Sequence, residues 1–295
     1  MFQVAGLAGV GATVSMANAQ APKDAVDSMF RIKNNRIKQS VMGWCFKSDP
    51  NPMSSIDIAK ACVSIGIPGI EGISAQDYPA VRKLGLEISL VSSHGFAKGP
   101  VDPDNHTAVI KKLKESIDIA VDVKCPSVIT FTGMRKDGID DDQAKKNCIK
   151  VWKDVIGYAE KNNINLVLEH LNSRDDSHPM KGHPGYFGDD VDLCVELINN
   201  VGSKNMKLLF DVYHVQIMNG DVIRRIRQYK DVIGHYHTAG NPGRKELDDT
   251  QEINYPPIMK AIVETGYKGF VAQEFIPTWD DKVHALRHSA MVCDV

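Results

Sequence analysis

The residues most able to do chemistry sit where apolar runs end. The chain contains Leu166-Val167-Leu168-Glu169-His170-Leu171-Asn172, Leu208-Leu209-Phe210-Asp211-Val212-Tyr213-His214, Ile233-Gly234-His235-Tyr236-His237-Thr238 and Phe270-Val271-Ala272-Gln273-Glu274-Phe275. Each stretch stops at a carboxylate or an imidazole. One such residue alone reads as a helix cap or an ion-pair partner. Glu169, Asp211, His237 and Glu274, on consecutive runs, read as a set. Gathering like charge in an apolar collar is costly unless a cation offsets it. Two glutamates, an aspartate and a histidine form a mixed oxygen and nitrogen donor set. That set suits Mn²⁺ or Mg²⁺, with Co²⁺ or Zn²⁺ as alternatives. His235 and His237 face one side of their run while Tyr236 faces the other. His237 lies nearer the end and is the expected ligand; His235 is the expected structural neighbour.

Something must bring the four run ends together. Eight short apolar segments alternate with longer amphipathic ones from residue 39 onward: Gln39 to Cys45, Gly69 to Ile73, Leu86 to Ser92, Ser127 to Thr132, Asn165 to His170, Lys207 to Tyr213, Ile233 to Thr238 and Gly269 to Glu274. Most are continuously apolar, which suits parallel strands buried on both faces. Between them, Val109, Ile110, Leu113, Ile117 and Ala120 recur at helical spacing, as do Ile149, Trp152, Val155, Ile156 and Ala159. The expected fold is α/β, a single-domain (β/α)8 TIM barrel over residues 38–295, because closure removes both exposed sheet edges. No Gly-x-Gly-x-x-Gly follows the first strand, which argues against a doubly wound nucleotide-binding sheet. In a barrel the C-terminal strand ends form the catalytic face, and all four polar residues fall there. The segment Asn172 to Gly188 is long for a connecting loop and is expected to shape the site. Trp44, Phe46, His94, Phe96 and Trp279 lie at or just past strand ends and are candidates for its walls.

Bulk properties narrow the partners. The 295 residues are 43% hydrophobic and 24% charged, enough for a sizeable core. Net charge is −2, with 35 Lys and Arg against 37 Asp and Glu, and no long basic run. This favours a small-molecule partner over nucleic acid. The six cysteines form no C-x-x-C pair. Residues 1–37 read as a leader. Val4 to Ala19 is apolar and ends in Ala17-Asn18-Ala19, an export-signal pattern without a preceding Lys or Arg. Periplasmic export is the expectation if it is a signal, the cytoplasm otherwise. No segment is long and apolar enough to make stable membrane insertion the expectation. Homo-oligomerisation is an open expectation, as barrel enzymes often dimerise.

The chain resembles the sugar isomerase/epimerase superfamily of xylose-isomerase-like barrels, especially the hydroxypyruvate isomerase branch. The stretches that carry the resemblance are Glu169-His-Leu-Asn172-Ser-Arg174-Asp175, Asp211-Val-Tyr-His214-Val-Gln216, His237-Thr-Ala-Gly-Asn-Pro242-Gly243-Arg244, Asn254-Tyr255 and Gly266-Tyr-Lys-Gly269 leading to Gln-Glu274-Phe. It runs from about residue 38 to the C-terminus. It implies that Glu169, Asp211, His237 and Glu274 hold a divalent metal and that Glu169 and Glu274 are the catalytic acid/base pair. It implies that His214 and Arg244 hold substrate oxygens, with Asp175 a further substrate contact. The implied reaction is aldose-ketose isomerisation of a small keto acid or sugar through a cis-enediolate. Some hydroxypyruvate isomerases carry Gln where His237 stands, whereas ketose 3-epimerases carry His. The stretch from His178 to Tyr186 is an insertion of this chain's own.

Other functions share the scaffold. A ketose 3-epimerase, or a metal-dependent sugar lyase or dehydratase, would use the same four ligands. A repair nuclease of this superfamily would need a richer His cluster and a basic surface. A non-catalytic sugar-binding protein would not need two glutamates across one metal.

Overall fold

The computed structural model describes residues 29–295. The apolar stretch read as an export signal lies outside the described residues. The strands are β1 (Lys38–Val41), β2 (Gly69–Ile70), β3 (Glu87–Ile88), β4 (Ser127–Thr130), β5 (Asn165–Glu169), β6 (Met206–Asp211), β7 (Ile233–Thr238) and β8 (Phe270–Gln273). The helices are α1 (Ser55–Ile65), α2 (Tyr78–Lys83), α3 (His106–Val123), α4 (Asp141–Lys161), α5 (Val191–Val201), α6 (Val212–Met218), α7 (Val222–Gln228), α8 (Tyr255–Glu264) and α9 (Lys282–Val292).

All strand pairs are parallel, and the fold is an α/β, TIM-barrel-like one. The strands form two ladders rather than the single continuous one expected: β1-β8-β7-β6-β5-β4, and β2-β3. Among the described residues, isolated parallel bridges span the seams, Met42 with Glu71 and Val91 with Val128. The first three strands are also shorter than their apolar runs. After β1 the chain tightens into a 3-10 turn at Gly43–Phe46. After β2, Gly72 takes φ +62, which ends an extended run, and a Cβ there would lie 2.0 Å from Met42 Sδ.

Local chemistry sets the helix ends. Ser54, Asp140, Asp190 and Asp281 accept backbone N–H bonds as N-caps of α1, α4, α5 and α9. Gly66 and Gly202 close α1 and α5 in the left-handed conformation. Helix α6 was not anticipated from the sequence. It starts directly after β6 with Asp211 as its cap: Tyr213 N–H (2.8 Å) and His214 N–H (3.2 Å) donate to Asp211 Oδ1.

Alternation sorts the strands into two faces. Leu166, Leu168, Leu208, Phe210, Tyr236 and Val271 join the large core shared with the helices. Val167 and Leu209 point the other way, into a smaller apolar cluster with Leu90, Ile129, Phe131, Leu171 and Tyr186. By the two-residue period, Glu169 and Asp211 lie on that same inner face, at its C-terminal end. The segment before β1 is tied to the fold at two points: Ile32 N–H donates to Ile65 O (2.9 Å), and Lys33 N–H donates to Asp294 Oδ2 (2.8 Å).

Candidate metal centre

The four strand-end residues meet. Ligand atoms of Glu169, Asp211, His237 and Glu274 all lie within 4.8 Å of one another, and all four residues are buried. Register explains part of this, since Asp211 pairs with His237 across β6 and β7. His237 Nδ1 is 2.6 Å from Glu274 Oε2 and 3.3 Å from Glu169 Oε1. These approaches lack hydrogen-bond geometry. Glu169 Oε1, Asp211 Oδ2, His237 Nδ1 and Glu274 Oε2 are all buried atoms without a hydrogen-bond partner. Four orphaned donor atoms aimed at one point, three of them carboxylate oxygens, fit a divalent cation.

Charge balance points the same way. Burial, with the nearby Glu274 charge, pushes the Asp211 carboxyl up to about 7. Burial also holds Glu169 above the usual carboxylate range, against the pull of His237. Glu274 differs: burial would raise it, but Arg244 and His237 outweigh that and bring it down to about 2. Burial works against charge on His237, yet Glu274, Glu169 and Glu71 hold its imidazole well above 6.5. Fully ionised, Glu169, Asp211 and Glu274 would set three negative charges against two positive ones on Arg244 and His237, and burial resists that ionisation unless a further cation offsets it.

Arg244 enters from the loop after β7. Its Nη2 lies 2.7 Å from Glu274 Oε2 and 3.7 Å from Asp211 Oδ2. Its Nη1 donates to Met180 O, and its guanidinium lies between the rings of Trp44 (5.5 Å) and Tyr213 (5.7 Å). His214 sits behind the ligands. Asn172 N–H donates to its Nδ1 (3.0 Å), so Nε2 carries the proton, 3.6 Å from Asp211 Oδ2. Asp175 is not brought into the cluster. It accepts from Tyr213 Oη–H (3.1 Å) and from Ser177 N–H (2.9 Å), and so braces the loop.

Above the cluster is a cavity of about 200 Å³ lined by Trp44, Phe96, Phe131, Met180, His183, Arg244, Glu169 and Glu274, among others. Of the aromatic wall candidates, Trp44 and Phe96 line it. Phe46 instead packs on Phe275, Trp279 lies against His284 and His288, and His94 Nε2 is bonded to Thr130 Oγ1. A larger groove of about 460 Å³, bounded by Ile32, Lys38 and Lys268, lies at the opposite strand ends and holds none of these groups.

Sequence reasoning missed Glu71. It follows β2 and is fully buried. His237 Nε2–H donates to its Oε1 (2.7 Å), while His235 Nε2 lies 3.0 Å from its Oε2. Ser89 Oγ–H donates to Oε2 as well. With Nε2 so engaged, Nδ1 of His237 is the nitrogen turned toward Glu169 and Glu274. A carboxylate ending the Gly69-Ile70 run is the same signal that marks the later strands. His235 takes the structural place expected of it, on Glu71.

Comparison with known proteins accords with this architecture. Residues 60–290 match the family described as xylose isomerase-like TIM barrel. The 2-oxo-tetronate isomerase of Pectobacterium atrosepticum is 26% identical over 234 residues, spanning 75% of this chain and 86% of that one. The hydroxypyruvate isomerase of Escherichia coli is 31% identical over 147 residues, 50% of this chain and 54% of that one. Among solved structures, 3-keto-D-glucoside 4-epimerase from Escherichia coli superposes with a TM-score of 0.71 at 15% identity, covering 87% and 98% of the two chains. The chain belongs to the xylose isomerase-like TIM-barrel family.

Proposed function

We propose that the chain is a metal-dependent isomerase of small α-hydroxy-carbonyl compounds, acting as the hydroxypyruvate and 2-oxo-tetronate isomerases it resembles do. The observation that carries this reading is the convergence of Glu169, Asp211, His237 and Glu274, each with an orphaned atom, below a small cavity. A divalent cation held by these four, Mn²⁺ or Mg²⁺ by their donor chemistry, supplies a Lewis acid that lowers the pKa of a C–H beside a carbonyl.

The chain's own groups move the proton. Glu169 and Glu274 both line the cavity and approach one imidazole nitrogen from different strands. Glu169 has the raised carboxyl, so its ionised form is the stronger base, and it removes the proton to give a cis-enediolate. Glu274, held ionised by Arg244, takes the proton of the adjacent hydroxyl and delivers it to the neighbouring carbon, while Glu169 passes its proton to the former carbonyl oxygen. Arg244 offers a rigid fork of donors, fixed by Trp44 and Tyr213, to a substrate carboxylate or hydroxyl. His214 turns its Nε2–H toward Asp211 Oδ2 at 3.6 Å, beyond hydrogen-bond reach, and acts there only as an electrostatic neighbour. Walls such as Phe96, Phe131 and Met180 exclude water from the enediolate. On this reading the bridged seams close one (β/α)8 barrel over residues 38–295.

A second reading, ketose 3-epimerase, is favoured by the imidazole of His237 at the ligand position. There the second glutamate would return the proton to the same carbon from the opposite face.

The test is product formation. Metal-loaded protein is incubated with hydroxypyruvate, with 2-oxo-tetronate and with free ketoses, and followed by NMR. The expected result is an aldehyde isomer from hydroxypyruvate, abolished by EDTA and restored by Mn²⁺ or Mg²⁺. Epimerised ketose with the acids untouched would favour the second reading. Unchanged substrates throughout, with metal bound, would contradict both.

A further inference from the structure

The insertion between β5 and α5 brings one more polar group to the cavity. His183 is 5% exposed and lines the cavity that Glu169, Glu274 and Arg244 also line. Its ring stacks on Phe96 with centroids 4.1 Å apart. Among the described residues its side chain has no hydrogen-bond partner, and its ring nitrogens are not among the fully buried unpartnered atoms, so they are open to the cavity. An apolar ring would pack on Phe96 equally well; the imidazole adds polar nitrogens at the cavity surface that no protein group engages.

The imidazole is held, not loose. His183 N–H donates to Asn172 O (2.7 Å), and Tyr186 N–H donates to His183 O (3.0 Å). Tyr186 Oη–H in turn donates to the carbonyl of Glu169 (2.8 Å), and Asn172 Nδ2–H donates to Lys181 O (2.7 Å). The preceding Gly182 is packed so closely that a Cβ would lie 2.0 Å from Asp175 O. The insertion is therefore tied to the strand that carries Glu169. The wall around His183 is otherwise mostly apolar, with Phe96, Phe131, Ile129, Leu171 and Met180.

We propose that His183 is a substrate-contacting, specificity-determining residue that hydrogen-bonds a hydroxyl on the non-reacting end of the substrate. It thereby selects hydroxy-keto acids of four carbons over those of three. A neutral imidazole offers one donor and one acceptor, and a hydroxyl matches both. Burial lowers the His183 pKa to about 4, with Arg244 adding to the effect, so the ring brings no charge to offset a second carboxylate or a phosphate. The inference rests on the isomerase reading.

Three probes separate the two claims: 3,4-dihydroxy-2-oxobutanoate, its analogue 3-hydroxy-2-oxobutanoate without the terminal hydroxyl, and hydroxypyruvate. Turnover and calorimetric binding are measured on metal-loaded wild type, His183→Ala and His183→Phe; the phenylalanine keeps the stacking on Phe96. Wild type is expected to prefer the dihydroxy acid over its deoxy analogue by about tenfold, mainly through KM. Both variants are expected to lose that preference, while metal affinity and deoxy turnover stay within about twofold. A preference that survives in both variants, or no preference in wild type, overturns the inference. Equal losses on all three probes, or lost metal, overturn it too, since they mark a structural role. Wild type that binds with the preference but turns nothing over sinks the isomerase reading and leaves the His183 subsite standing. Wild type that binds none of the three overturns both.

Discussion

Glu169 and Glu274 reach toward the same imidazole nitrogen, yet their protons are held differently. Arg244, at 2.7 Å, keeps Glu274 ionised, while burial favours the neutral form of Glu169. Two carboxyls pushed apart by their surroundings are the usual basis of an acid and base pair. Behind them, Glu71 fixes which nitrogen of His237 faces the cluster. Partners of this kind orient a metal ligand, and their loss typically costs about 10–100-fold in affinity. Glu71→Gln is therefore expected to weaken Mn²⁺ binding by about that factor, read by titration with electron paramagnetic resonance. Unchanged affinity would show that His237 needs no such partner. Glu169, Asp211, His237 and Glu274 could be read from sequence because each closes a short, largely apolar run, and the four runs follow one another along the chain. Glu71 was harder to read because its strand is only Gly69–Ile70 before Gly72 turns the chain.

At the scale of elements, Asp211 does two jobs. Oδ1 caps α6 through two backbone N–H groups, and Oδ2 is the orphaned atom of the cluster. Asparagine is as good a cap as aspartate, but it offers the metal no charge. Asp211→Asn is expected to lose tight metal binding while keeping α6. Asp211→Ala is expected to lose both and to be less stable than the asparagine variant by about 1 kcal/mol in urea denaturation. Equal stability of the two variants would remove the capping role. This double use also explains why α6 could not be foreseen. No loop separates it from β6, and Val212-Tyr213-His214-Val215 reads as strand continuing. The 172–188 loop was visible as long and polar. Its fold was not, because Tyr213 and Arg244 bond to it from later in the chain and its own Tyr186 bonds back to the Glu169 carbonyl.

For the whole molecule, burial of neutral histidines sets an acid limit. His170 is fully buried with both ring nitrogens unpartnered, and burial lowers its pKa to about 4. Its folded pKa lies below the unfolded value of about 6.5, so its contribution is intact above about 6.5. That contribution is lost as pH falls toward 4. The stability gap between wild type and His170→Asn is expected to narrow by about 2–3 kcal/mol between pH 7 and pH 4.5, read by denaturant unfolding. A constant gap would mean that His170 is not held neutral. Metal should act on the whole fold as well. At a free concentration of 100 times Kd, a cation bound only by the folded state adds about 2.7 kcal/mol, so EDTA is expected to lower Tm. Eight strands and their order were readable from hydrophobic spacing. The division into two ladders was not, because it depends on turns at Gly43–Phe46 and Gly72 that interrupt runs still apolar in sequence.

On the proposed function, two glutamates beside a bound cation move a proton at a carbon next to a carbonyl. Proton exchange in deuterated water, followed by NMR on metal-loaded protein with hydroxypyruvate, tests it most directly. Deuterium uptake is expected at the carbon beside the carbonyl, abolished by EDTA and reduced by at least about 100-fold in Glu169→Gln and in Glu274→Gln. Exchange at the wild-type rate in either variant, with metal still bound, would contradict it.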